Sequence, residues 1–122
     1  MATLEDCTAA ARATLRDGGG TFYRDRLNKY NVPAGLKGGY AVGLVTGTWR
    51  FAECEAWDIE KAIRACLVAF PDAPFVGTWA EDDLVHVDPV VILPHRRDAK
   101  LLGRALGQKS IWSFATEEEI LL

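Results

Sequence analysis

The pattern of apolar residues predicts a single α+β domain, residues 1–122, with three helices and a mixed or antiparallel sheet of four to five strands. Three observations carry this. Ile59, Ala62, Ile63, Cys66, Leu67 and Phe70 repeat at helical spacing along one face. In residues 84–93, Val85, Val87, Val91 and Leu93 share one face of a strand, and Leu84, His86 and Asp88 share the other. A chain of 122 residues is also the size of one domain that buries enough surface to fold without metal or disulfide.

The elements follow in chain order. Residues 1–18 carry the N-terminal helix, predicted over 3–17, with Thr3 and Asp6 forming a capping box and Gly18 a left-handed stop. Leu4, Cys7, Ala11 and Leu15 form its narrow inward stripe. After Thr21-Phe22-Tyr23, residues 24–39 read as a long loop, rich in glycine and asparagine. Residues 40–51 read as one strand with bulges at Gly43 and Gly47, and 58–70 as a helix with Asp58 in its first turn and Pro71 beyond its end. Residues 75–80 and 84–93 form a hairpin about Glu81-Asp82-Asp83, with Pro89 marking an edge or a bulge. A third helix covers 96–106, with Leu102, Ala105 and Leu106 inward and Gly107 as its stop. A short strand follows at 110–114, reached by a βαβ crossover that would set it parallel to 84–93. The acidic tail leaves helical turn and strand equally open.

Charge narrows the function classes. The net charge is −3 and the pI about 5.3, whereas nucleic-acid binders usually carry a pI above about 9 or a basic patch. Arg24, Arg26, Lys29 and Lys37 make a local basic segment, diluted by Asp25, and a reading as an RNA- or DNA-binding accessory factor would rest on them. The longest uncharged apolar run, Pro89–Pro94, is far below the ~20 residues of a membrane helix, and acids stand where a signal peptide has bases. The expected location is the cytoplasm. Three cysteines without CxxC spacing, and two histidines remote from them in sequence, point to neither a disulfide framework nor a metal site. No motif calls for a cofactor. Neither glycine cluster, at 18–20 or at 35–39, fits a phosphate-binding loop.

Two kinds of site remain. His86 and Asp88, two apart on a strand, can share a face, as a general base and its orienting carboxylate do, with Tyr40 or Arg50 beside them. Their bland alternative is a structural hydrogen-bonded pair, since no nucleophile can be placed next to them. The second kind is a binding surface on the 24–39 loop: Arg24, Arg26, Lys29 and Tyr30, with Trp57 as an exposed aromatic anchor. Cys7 and Cys66 belong to apolar helix faces, while Cys54 stands between Glu53 and Glu55, which oppose a thiolate. The triplet Gly-Thr-Trp occurs at 47–49 and again at 77–79, with no wider identity around it, so each copy reads as a property of its strand.

The stretches GGYAVGLV (38–45), FVGTWAEDDLVHVDP (75–89) and RDAKLLGRALGQKSIWSF (97–114) resemble a group of small proteins encoded by actinobacterial phages and prophages. The resemblance covers roughly residues 20–120 and rests on mostly structural residues, so no catalytic residue is carried over. It implies an accessory protein that binds a host or phage protein without catalysis, in the host cytoplasm. The alternative is a small enzyme or ligand-binding protein using the His86/Asp88 face. Homodimerisation through edge strands and surplus aromatics is a further expectation.

Overall fold

The computed structural model describes residues 1–32, 38–45, 50–52, 55–81 and 84–122. Helix α1 (Leu4–Asp17) begins at the expected capping box: the Thr3 hydroxyl accepts the Asp6 N–H at 3.2 Å and the Asp6 carboxylate accepts the Thr3 N–H at 2.8 Å. Gly18, at φ +82°, ends it. The buried positions are Cys7, Ala10, Ala11 and Thr14, whereas Leu4 and Leu15 are exposed. The inward stripe is therefore rotated from the leucine-bearing one. Small side chains let α1 pack closely on helix α2 (Ala56–Ala69), and the two leucines lie outside that contact. Helix α2 buries Ile59, Ala62, Ile63 and Cys66, and its own capping box joins Glu55 and Asp58.

Strand β1 (Gly19–Tyr23) leaves α1 directly. The predicted strand over 40–51 is interrupted and becomes β2 (Tyr40–Gly43) and β3 (Arg50–Ala52). Both pair with the same long strand, β5 (Leu84–Leu93), Gly43 opposite Val90 and Arg50 opposite His86. Six residues on one side thus oppose three on the other. Pro89 supplies a reason: its carbonyl accepts the Leu44 N–H at 2.9 Å, so its backbone faces the interrupted side, where it has no N–H to offer. On its other side β5 pairs in unbroken register with β4 (Phe75–Glu81), Glu81 opposite Leu84. The hairpin's connecting residues 82–83 lie outside those described, as does Gly47.

After α3 (Arg96–Ala105) come β6 (Ser110–Ser113) and β7 (Glu118–Leu121), so the tail takes the strand option. Among the described residues the sheet has seven strands, every pair antiparallel, in the order β1-β4-β5-β2-β6-β7 with β3 beside the start of β5. The count exceeds four to five because β1, β7 and the split of β2 from β3 each add a strand. Strand β6 does run in the direction of β5, but β2 lies between them. Likewise α2 connects β3 and β4 across β5.

The registers fix which residues share a face. Phe22, Val76, Val85 and Val87 lie beneath α1 and α2, and Val42, Val91 and Ile111 lie beneath α3. All of them are on one side of the sheet, so the three helices cover the same face. Helix α3 sits close because Gly103 has no side chain: a Cβ there would meet Leu122 Cδ1 at 2.5 Å. Ala99 and Gly103 are buried, and Ala105, expected inward, is exposed.

Residues 24–30 are more tightly organised than an open loop. Leu27 donates its N–H to the Tyr23 carbonyl and Tyr30 to that of Thr21, while Lys29 bridges Phe22, so the chain folds back along β1. Residues 33–37 lie outside those described.

Candidate functional site

One face of the sheet carries the helices; the other is built by the alternate residues of the same strands. Strand alternation places Thr21 and Tyr23 of β1, Phe75, Gly77 and Trp79 of β4, His86, Asp88, Val90 and Ile92 of β5, and Trp112 of β6 on this helix-free face. His86 and Asp88 therefore do share a face, both half-buried. Trp79 lies directly opposite His86, and Gly77 opposite Asp88.

One end of this face is roofed. Tyr30 reaches over it, its ring 5.9 Å from Phe75, 5.7 Å from Tyr23 and 4.7 Å from Phe114. Tyr23 and Phe75 add a pair at 5.1 Å. Four rings so arranged form a packed cluster with tilted and edge-on contacts. The opposite end, around Trp79 and His86, holds a second exposed aromatic: Trp79 is 37% exposed, beside 42% for Tyr23 at the margin of the cluster.

The electrostatics of this face centre on Asp88. Burial pushes its carboxyl up to about 6. The charge is also felt through the sheet at Cys66 on α2, where burial first and Asp88 second push the thiol up to about 12, with Arg24 opposing. Cys66 and Cys7 are buried free thiols held protonated at neutral pH, which leaves them inert. Cys54 lies outside the described residues.

The residues singled out from sequence do not converge. Tyr40 lies on the helix-bearing face against the α3 cluster, and so cannot join His86. The backbone of Arg50 pairs with that of His86, but the expectation placed on its side chain falls outside what is described. Arg24 is committed internally: its guanidinium donates to the carbonyls of Phe70, at 2.7 Å, and of Leu67, and so satisfies the C-terminal end of α2. Lys29 pairs with Asp17 at 3.0 Å, and Tyr30 belongs to the aromatic cluster. Of the basic segment only Arg26 remains exposed without an ion pair among the described residues, since Lys37 lies outside them. Trp57 is 54% exposed, with Lys61 Nζ 4.2 Å above its ring, and stands on α2, away from the helix-free face.

The second Gly-Thr-Trp triplet resolves into three separate duties. A Cβ on Gly77 would fall 2.6 Å from Val90 Cγ2, so glycine is needed for Val90 to lie across it. The Thr78 hydroxyl, on the helix side, hydrogen-bonds to that of Thr14 at 2.7 Å. Trp79 presents its ring to the open face. The first triplet, 47–49, lies outside the described residues.

Sequence reasoning passed over one feature. Arg96, Arg97, Lys100 and Arg104 line a shallow, open depression on the outer side of α3, together with Leu101. The signal was present as a concentration of cations late in an acidic chain. Among the described residues no three His, Cys, Asp or Glu side chains gather as a metal site would require, and no helix is long and apolar enough to cross a membrane. Comparison with protein-family models, with curated proteins and with solved structures finds no match to this chain.

Proposed function

We propose that this chain is a non-catalytic binding protein of the kind encoded by actinobacterial phages and prophages, engaging a host or phage protein in the cytoplasm through the helix-free face of its sheet. The observation that carries the reading is the aromatic character of that face. Tyr23 and Trp79 are exposed on it, with Phe75, Ile92 and Trp112 half-buried beside them. Aromatic side chains offer large contact area at small entropic cost and are the usual anchors of protein interfaces. In this reading the binding surface expected on the 24–39 loop moves to the sheet, because Arg24 is bonded to the end of α2 and Tyr30 is packed in the aromatic cluster.

The test is a tagged pull-down from an actinobacterial lysate with Trp79→Ala and Tyr23→Ser variants alongside the parent chain. A stoichiometric protein captured by the parent and lost by at least tenfold in the Trp79→Ala variant supports the reading; this corresponds to an anchor contribution above about 1.4 kcal/mol. Equal capture by parent and variants, with unchanged thermal stability, overturns it. Retention of a second copy of the chain alone would assign the face to homodimerisation.

A second reading is favoured by one observation, the half-buried Asp88 whose carboxyl titrates near 6 beside His86. Such perturbed groups concentrate at ligand and catalytic sites. Under it, His86→Ala and Asp88→Ala would abolish the biological effect while Trp79→Ala spared it.

A further inference from the structure

We propose that the outer flank of α3 is a docking surface for the phosphate backbone of double-stranded DNA. Residues 95–109 carry five Lys or Arg against the single acid Asp98, a net of +4, so the rest of this −3 chain carries −7. The charge is therefore segregated onto one helix and the residues that follow it. At 100° per residue, Arg96, Lys100, Arg104 and Arg97 fall within an arc of about 100°, with Leu101 at its edge and Asp98 on the opposite flank. Ala99 and Gly103, the buried positions, adjoin that arc at its Arg96 edge. Arg96, Arg97 and Arg104 are exposed and Lys100 half-buried. None of the four forms an ion pair among the described residues, in contrast to Arg16, Lys29 and Arg64.

The composition of the flank selects the partner. From Arg96 to Arg104 the row is about 12 Å long at 1.5 Å per residue. Duplex DNA presents one negative charge per about 1.7 Å of its axis, a density that a row of four cations without an acid complements. A single strand would call for aromatic platforms on which bases stack, and the residues lining this flank include none. A membrane-surface helix must insert its apolar face, yet Ala99, Leu102 and Leu106 of α3 are packed against the sheet. A protein partner would need apolar anchors, of which the flank offers Leu101 alone, 55% exposed. The contacts are with phosphates, so binding is independent of base sequence.

The test is fluorescence anisotropy of a labelled duplex of about 20 base pairs, titrated with the full chain between 50 and 200 mM salt. The expected Kd near 150 mM salt lies at about 10⁻⁴–10⁻⁶ M, and log K falls against log salt with a slope of about −3.6, roughly a hundredfold loss between 50 and 200 mM. Arg97→Gln/Arg104→Gln should reduce this slope to about −1.8 and weaken binding at least tenfold at 50 mM salt, with an unaltered thermal midpoint. Arg26→Gln, off the flank, should bind as the parent chain does. No anisotropy change with the parent chain at 50 mM salt overturns the proposal, as does equal binding by the double variant. Equal or tighter binding of poly-glutamate, or of vesicles containing phosphatidylserine, would also overturn it by assigning the flank to an acidic protein or a lipid surface.

Discussion

Thr14 and Thr78 illustrate how much a single residue's role depends on its neighbour. Thr14 lies in the middle of α1, where its hydroxyl has a local acceptor in the Ala10 carbonyl at 2.9 Å, and it also meets the Thr78 hydroxyl at 2.7 Å. Both residues are buried, so a hydroxyl deprived of its partner there has no water to turn to. Thr14→Val should cost about 1–2 kcal/mol in denaturant unfolding, because the Thr78 hydroxyl is stranded. Thr14→Val/Thr78→Val should cost less than Thr14→Val alone, since both polar groups leave together. A double variant whose loss equals the sum of the two single losses would show that the pair is not coupled. The two residues are 64 positions apart, so no local pattern in the sequence records their pairing.

At the level of elements, the interrupted strand β2–β3 is held at its break by Gln108. Its side-chain amide donates to the Gly43 and Val45 carbonyls, each at 2.8 Å, tying the loop after α3 to the exit of β2. Gly43 is part of the same fit, as a Cβ there would stand 3.1 Å from Gln108 Nε2. Gln108→Ala should destabilise the chain by about 1–3 kcal/mol, the range for unpairing two partly buried carbonyls, and hydrogen exchange should accelerate first at Gly43 and Leu44. Exchange unchanged at those amides would remove Gln108 from this role. Gly107 and Gln108 thus form a structural clasp: Gly107 takes φ +74° beyond α3 and Gln108 pins the neighbouring strand. The helices were legible because 3.6-residue periodicity and caps are local signals. The break in β2–β3 was not, because it depends on the absent N–H of Pro89 in a strand 40 or more residues away in sequence.

Across the whole molecule, the one-sided arrangement of helices leaves Asp88, half-buried, on the face they do not cover. Its carboxyl, raised from 3.8 to about 6, keeps a proton in the folded state that the unfolded chain has already released. Between about pH 4 and 6, stability contributed by this group therefore falls as pH rises; above 6 the penalty is constant. Asp88→Asn removes the ionisation. It should be more stable than the parent by about 2–3 kcal/mol at pH 7, at ~1.4 kcal/mol per unit, with the difference vanishing near pH 4. The comparison between variant and parent isolates Asp88 from Asp6, Asp17 and Asp25, whose lowered values act in the opposite direction. A gap that does not change with pH would show that Asp88 is not held in its protonated form.

The three helices, the pairing of 75–80 with 84–93, the common face of His86 and Asp88, and the burial of Cys7 and Cys66 are all legible in the order of residues. Each follows from a period or a cap within a dozen residues. Which of those faces stays open depends on how the strands are ordered in space. Strand order sets all three helices on one side, so Tyr40 turns into the core while Trp79 turns out. The same packing commits Arg24 to the end of α2 and Lys29 to Asp17, and leaves Arg96, Arg97, Lys100 and Arg104 without an ion pair among the described residues. A cation's availability depends on where the nearest carbonyl or carboxylate is brought in space, and composition does not record that.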